Sequence, residues 1–224
     1  MIDIHLEKPY CTFDFTKFSR ILNSRNSAEF IKAAFTGVKK ESNLFTVSTT
    51  QGSYSSRILV DATGWRASVA EKLIPGYVHR DMLSFGIETE VPYRREESFH
   101  FFYEPDFLKN GVSWLFPCGE FARFGVASYT GETRLQGKLD AFLDRFHVTR
   151  DKIHRGFFFY CLKKPVMEGI FVVGCAQGQT LPLTGEGISR SITIGTRCGE
   201  IIQKRSWTGR LLSMKARKSI PGWH

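Results

Sequence analysis

Apolar residues recur every three or four positions at Phe15, Phe18 and Leu22, which predicts a helix over Asp14–Asn23 with Asp14 as its N-cap. Ser27–Thr36 reads as a second short helix or turn. The pattern then changes period. Leu44–Thr49 and Tyr54–Asp61 are strand-like, and Gln51-Gly52-Ser53 between them is hairpin chemistry. From about 81 to 160 the chain is a series of aromatic and β-branched runs: Met82–Val91, Phe99–Tyr103, Val112–Phe116, Phe121–Tyr129 and Lys152–Tyr160. Such runs predict strands. One helix interrupts them over Arg134–Phe146, where Leu135, Leu139, Phe142, Leu143 and Phe146 share a face. Gly169–Gly174 is a short apolar strand ending in glycine, followed by a polar turn and a helix from about Gly185 to Lys204.

This order predicts an α/β chain, α+β overall, in which a partial Rossmann-like layer is interleaved with a mainly antiparallel sheet. A strand buried on both faces that feeds a helix is typical of a nucleotide-binding layer. That layer is visited at 54–72, left for the sheet, and revisited at 169–204. The expected organisation is a nucleotide-binding part made of 1–72 and 165–205, an antiparallel substrate part over 73–164, and a tail over 206–224.

Composition adds three constraints. The 224 residues include 20 Phe, 7 Tyr and 4 Trp, a content that suits a β-rich core and equally the lining of an apolar pocket. The formal charge of +9 favours phosphate-bearing partners. Part of the excess is local, since 201–224 carry Lys204, Arg205, Arg210, Lys215, Arg217 and Lys218 and no acidic residue. The cysteines, Cys11, Cys118, Cys161, Cys175 and Cys198, are dispersed and never in CxxC pairs, so neither a metal site nor a disulfide framework is expected, and a reducing, cytoplasmic setting is. No run of apolar residues is long enough for a membrane span, and Met1–Cys11 does not read as a secretion signal.

Three segments carry candidate chemistry. In Arg57–Arg66 an apolar strand ends in Asp61-Ala62-Thr63-Gly64, small residues that let a ligand approach the backbone. In Gly174–Ile188 a glycine closes the buried strand, Pro182 bends the chain, and Gly185-Glu186-Gly187 opens a helix. The N–H groups and dipole of a helix start favour negative charge, as on the pyrimidine edge of a reduced flavin. The helix glycines Gly195 and Gly199, on a face with Ile188, Ile192 and Ile202, predict close packing on the sheet. In the third segment, Trp114 and Phe116 alternate onto one strand face and Pro117 marks the strand's end.

In this order the segments resemble the geranylgeranyl reductase family, within the wider group of aromatic-hydroxylase-like flavoproteins. The Asp61–Arg66 stretch is similar to the family's second FAD fingerprint, and Gly174–Ile188 is similar to its third, GDAAG…P…GEGI. Trp114, Phe116, Pro117 and Gly125 match its YxWxFPK…G pattern. The resemblance implies FAD contacts at Ala62, Thr63, Gly64, Arg66, Gly174, Cys175, Pro182, Gly185, Glu186, Gly187 and Ile188, and substrate contacts at Trp114, Phe116 and Pro117. The departures are specific: Cys175 replaces an aspartate, Val112 and Cys118 replace the Tyr and Lys of the middle pattern, and Ala67 replaces a serine. No GxGxxG occurs in the sequence, so the first βαβ unit is expected to be missing.

By resemblance, the expected function is an FAD-dependent oxidoreductase, with NAD(P)H as donor, that reduces C=C bonds of a prenyl or isoprenoid substrate. No side chain stands out as a general acid. The alternatives are an FAD monooxygenase or hydroxylase, and a truncated, non-catalytic flavoprotein remnant. The tail is expected to touch an anionic membrane surface, and nucleic acid is not an expected partner.

Overall fold

The structure is a computed structural model. It describes residues 11–208 apart from Glu96, Glu168 and Pro182, with backbone alone at 166, 167 and 205–208. Helix α1 (Phe15–Ser24) starts where the sequence places it, with the Asp14 side chain accepting from the Lys17 amide at 3.0 Å. Ser27–Thr36 is not helical. The chain runs irregularly into strand β1 (Phe35–Glu41), which the apolar pattern did not signal because Val38 is its one buried residue. Strand β1 pairs antiparallel with β2 (Leu44–Thr49), and β2 with β3 (Gly52–Ser56), so the expected hairpin is present.

The expected strand Tyr54–Asp61 is in fact two. It breaks after Ser56, whose Oγ accepts from the Ile58 amide at 3.2 Å, and resumes as β4 (Leu59–Asp61) in a different sheet. A local side-chain bond of this kind competes with the sheet ladder and turns the chain. A tight turn at Gly64–Arg66 then leads into the short helix α2 (Ser68–Leu73).

The middle of the chain forms one sheet from β5 (Ser84–Pro92), β6 (His100–Phe102), β7 (Gly111–Cys118), β8 (Phe121–Ser128) and β9 (Ile153–Phe158), in the order β6-β7-β8-β5-β9. Strand β8 is antiparallel to both β5 and β7. Helix α3 (Gln136–Asp144) buries Leu139, Phe142 and Leu143 in the same core as Phe85, Ile87, Leu115 and Phe124 from the sheet. The period-two pattern therefore specified this core.

The last elements are β10 (Val166–Met167), β11 (Ile170–Val172) and α4 (Ile188–Thr208). Strand β11 lies parallel to β4, with Ile170 opposite Leu59 and Val172 opposite Asp61. The two segments expected to share a nucleotide-binding layer are thus neighbours in one sheet, although more than a hundred residues separate them. Ile170, Phe171 and Val172 are all buried, as a parallel strand requires.

The chain divides into two compact units. One contains the stretch up to Lys32 together with Leu83–Phe157; the other contains Ala33–Met82 and everything from Phe158 onward. These bounds depart from the expected ones in three places, the first being the start of the antiparallel part at Leu83 rather than 73. Residues 11–32 group with the antiparallel sheet, where Thr12 Oγ1 donates to the Pro117 carbonyl at 3.0 Å, and the return to the α/β unit comes at Phe158 rather than 165. The basic tail beyond Thr208 lies outside the described residues.

Candidate functional site

Strand β4 ends at Asp61, which is fully buried and uses both carboxylate oxygens. Oδ1 accepts from the Thr63 amide at 2.9 Å and the Thr63 hydroxyl at 2.7 Å, while Oδ2 accepts from the amides of Val69 at 3.1 Å and Ala70 at 2.8 Å. One side chain therefore caps α2 and folds Ala62–Arg66 into its turn. Sequence reasoning passed over Asp61, although a carboxylate closing an apolar strand shortly before a helix is a detectable signal. Gly64 adopts φ +74°, and a Cβ built on it would meet nothing within 4 Å, so the turn presents an open backbone surface. The Arg66 guanidinium lies over the Trp65 ring, 4.4 Å from its centroid.

After β11 the chain makes a second tight turn at Gly174–Ala176. This turn lies within 8 Å, Cα to Cα, of both the Gly64–Arg66 turn and α4. A Cβ on Gly174 would sit 3.2 Å from Ser191 Oγ in the first part of α4. Buried side chains brace the turn from within. The Gly174 amide donates to Gln179 Oε1 at 3.1 Å, Gln179 Nε2 donates to Gln177 Oε1, and Gln177 Nε2 donates to the Lys163 carbonyl at 3.2 Å. Gly178 backs directly onto the chain at Cys161, where a Cβ would overlap the carbonyl oxygen. Lys163 Nζ lies 3.5 Å from the centroid of the Phe159 ring. Burial lowers its pKa to about 8, because desolvation disfavours the charged amine.

The segment before α4 is self-satisfied in the same way. Leu181 N donates to the Glu186 carbonyl at 2.7 Å, and Gly185 N to the Leu181 carbonyl at 2.9 Å. The Glu186 carboxylate caps α4 by accepting from the Ser189 amide at 2.7 Å. The helix start therefore sits, with its positive dipole end, beside the Gly174 turn. Further along, the expected close packing of the helix glycines is absent. A Cβ on Gly195 or Gly199 would meet nothing within 4 Å, and Ile188 and Ile192 are exposed; it is Cys198 that is buried.

Of the residues that the sequence nominates for a cofactor, Ala62, Thr63, Gly64, Arg66, Gly174, Cys175, Gly185, Glu186, Gly187 and Ile188 all fall on these adjoining segments of one unit. Pro182 lies outside the described residues. Cys175 is exposed, and its thiol is a weak stand-in for the acceptor that a carboxylate offers.

The nominated substrate residues belong to the other unit. On β7, Leu115 points into the core under α3, so Trp114 and Phe116 point to the opposite face. There Phe116 meets Phe99 at 5.0 Å and Phe101 at 5.1 Å between ring centroids. The Trp114 indole lies on Gly125, where a Cβ would overlap it. Pro117 does not end the strand as expected, since β7 continues to Cys118. A ladder proline is tolerated where a neighbour is missing, and β6 pairs with β7 only from Ser113 to Leu115. Cys118, at the position of the family lysine, has its thiol pKa pushed up by burial.

No family model matches the chain. A digeranylgeranylglycerophospholipid reductase from Methanococcus vannielii is 24% identical over 213 residues, covering 85% of this chain and 53% of that protein. A second from Methanothermobacter thermautotrophicus is 29% identical over 185 residues, covering 73% and 46%. The chain is thus similar to proteins named digeranylgeranylglycerophospholipid reductases. It spans about half the length of these curated relatives. Among solved structures, a geranylgeranyl bacteriochlorophyll reductase-like protein from Thermoplasma acidophilum superposes with a TM-score of 0.75 at 19% identity, over 87% of this chain and 54% of that one. A flavin-dependent halogenase from Brevundimonas sp. BAL3 gives 0.59 at 16%, over 80% and 38%. The expected resemblance to geranylgeranyl reductases and the expected α/β fold interleaved with a mainly antiparallel sheet are both borne out.

Proposed function

We propose that this chain provides the flavin-ring and substrate portions of an FAD-dependent reductase acting on C=C bonds of a prenyl-chain lipid, with NAD(P)H as the ultimate hydride source. The observation that carries the reading is the meeting of three backbone features in one unit: the open turn at Gly64, the turn at Gly174, and the start of α4. The residues present fit the ring end of an FAD. Glycines at 64 and 185 leave the backbone open, with nothing within 4 Å of a Cβ built on either, and the α4 start offers N–H donors and a positive dipole end to a developing negative charge. At the ribitol the fit is poorer, because Cys175 supplies no carboxylate. When bound, the FAD would supply hydride from N5 to the alkene.

The chain's own residues have simpler tasks. Asp61 and the Gln177–Gln179 pair fix the two turns before any ligand arrives, which lowers the ordering cost of binding. Trp114, Phe116, Phe99 and Phe101 give an aromatic surface suited to an isoprenoid chain. The name of the similar proteins, reductases of a digeranylgeranylglycerophospholipid, supports a lipid as the substrate. Among the described residues no helix is long and apolar enough to cross a membrane, so access to a lipid would come from the membrane surface, aided by Lys204 and the basic residues that follow it.

The test is flavin addition to the isotopically labelled chain. Riboflavin or FAD is expected to shift the amide resonances of Gly64, Cys175 and Ile188 together. With no GxGxxG in the sequence to hold the pyrophosphate, FAD affinity of this chain should be weaker than micromolar. Unmoved resonances at millimolar flavin would overturn the reading. Oxygen consumption without alkene reduction in a flavin-loaded, NAD(P)H-supplied protein would turn it toward oxygenation.

A further inference from the structure

The loop between β11 and α4 satisfies nearly all of its own polar groups, and one group stands out against that background. Thr180 is 4% exposed, and its Oγ1 is buried without any hydrogen-bond partner. Its neighbours are engaged: the Gly174 amide with Gln179, Gln179 with Gln177, Gln177 with Lys163, and the Ser189 amide with Glu186. A buried hydroxyl with no partner is destabilising, and a valine of nearly the same shape would avoid the penalty. The position of the orphan is informative. A Cβ on Gly187, the residue preceding α4, would lie 3.3 Å from Thr180 Oγ1 and 3.8 Å from Thr180 Cα. The hydroxyl therefore packs against Gly187, the residue that precedes a 21-residue helix, at the place where the glycine leaves room for it.

We propose that Thr180 is a ligand-positioning residue whose hydroxyl donates to an acceptor atom of a planar heteroaromatic ring seated at the α4 start. The ring is of the isoalloxazine class, and its acceptor edge combines a carbonyl oxygen and a ring nitrogen. This inference rests on the flavin reading above and assigns it a residue that the family fingerprint does not contain. It also moves the centre of polar recognition. The Gly174 amide is already occupied by Gln179 and the Ser189 amide by Glu186, so the donors assigned to the ring's acceptor edge are the Thr180 hydroxyl and the Ile188 amide at the start of α4. Reduction places more negative charge on that edge, so the bond strengthens in the reduced state and raises the ring's reduction potential.

The experiment uses the full chain with riboflavin as probe, and compares the unchanged protein with Thr180→Val, Thr180→Ala and Thr180→Ser. Loss of one hydrogen bond should weaken binding by about tenfold in the Val and Ala variants and much less in Ser. The midpoint potential of bound riboflavin should fall by about 30 mV in Val and Ala, the shift corresponding to a tenfold change in the two-electron equilibrium. In the absence of flavin, Thr180→Val should melt at the same temperature or higher, because an unpaired polar atom has been removed. Equal affinity and potential in all variants would overturn the proposal and leave the flavin reading standing, with a buried water as the partner of the hydroxyl. A lower melting temperature of flavin-free Thr180→Val would also overturn it, since the hydroxyl would then have a partner within the protein. Failure of the unchanged protein to bind riboflavin at all would overturn both.

Discussion

The two units bury their interiors in different ways. The antiparallel unit closes on an aromatic core: Phe124 meets Tyr93 at 5.3 Å, Phe142 at 6.1 Å and Phe146 at 5.2 Å in edge-on or near-edge-on contacts, with Leu115, Leu139 and Leu143 filling between them. The α/β unit has a smaller apolar cluster around Phe45, Ile170 and Val172. Both units bury polar side chains, but those of the first, Ser84, Thr89, Ser113 and Ser128, lie on its strands, while those of the second, Asp61, Gln177, Gln179 and Thr180, lie at or beside its turns. Burial of polar groups is costly unless each finds a partner, and in the second unit Asp61, Gln177 and Gln179 find theirs by bracing turns. The first unit is therefore built for cohesion. In the second, part of the interior is given over to holding backbone in shapes that a ligand can approach.

Substitutions in the two interiors should differ accordingly. The largest effect is expected from Phe124→Ala in the aromatic core, a loss of about 3–5 kcal/mol in denaturant unfolding. A loss below about 1 kcal/mol would mean that the core is looser than its contacts imply. Next comes Asp61→Asn. It keeps the volume but exchanges an acceptor-only group for one with two donors, facing the amides of Val69 and Ala70. About 2–3 kcal/mol should be lost, together with hydrogen-exchange protection at those two amides. If protection is retained, Asp61 does not cap α2.

Gly178→Ala is expected to cost about 1–3 kcal/mol, from overlap with the Cys161 carbonyl and from a backbone at φ +80° that alanine resists. Its signature should be a changed environment at Gln177 and Gln179 with an intact antiparallel sheet. The smallest effect concerns pH. Lys163 has a folded-state pKa of about 8, below the 10.5 usual for a lysine. The folded state therefore holds fewer protons than the unfolded state between those values, and stability should rise with pH across that window. Because Lys163 is only half-buried, the rise will be small. Compared with the unchanged protein, Lys163→Met should remove this component and be relatively more stable below pH 8. Identical pH profiles would show that the amine is fully solvated.

Legibility in the sequence followed the source of each element's order. Strands β5, β7 and β8 and helix α3 were readable because their apolar periodicity points into one core. Strand β1 was missed because Val38 alone is buried in it, so there was no alternation to detect. The segment Tyr54–Asp61 was read as one strand because Tyr54, Ile58 and Val60 favour extended backbone. The break comes from a single Ser56 contact and from the pairing of β4 with β11. The nominated cofactor segments were visible through their glycines and their order, but the braces that shape them were not. Gln177 and Gln179 are ordinary polar residues until the fold buries them, and of the braces Asp61 alone left a trace in the sequence, as a carboxylate closing an apolar strand.

The sequence by itself determined the periodicities, and with them the antiparallel sheet, its covering helix and the parallel strand that feeds α4. It also determined the small residues at Gly64, Gly174 and Gly187, whose meaning comes from backbone sterics alone. Tertiary structure decided which distant segments meet, because the β4–β11 pairing joins residues 59–61 to 170–172 and no local pattern encodes a partner that far away. It decided as well that Ile188 and Ile192 are exposed while Thr180 is buried. A side chain's environment is set by what the rest of the chain places around it, and this reverses at the helix start what hydrophobicity alone would assign.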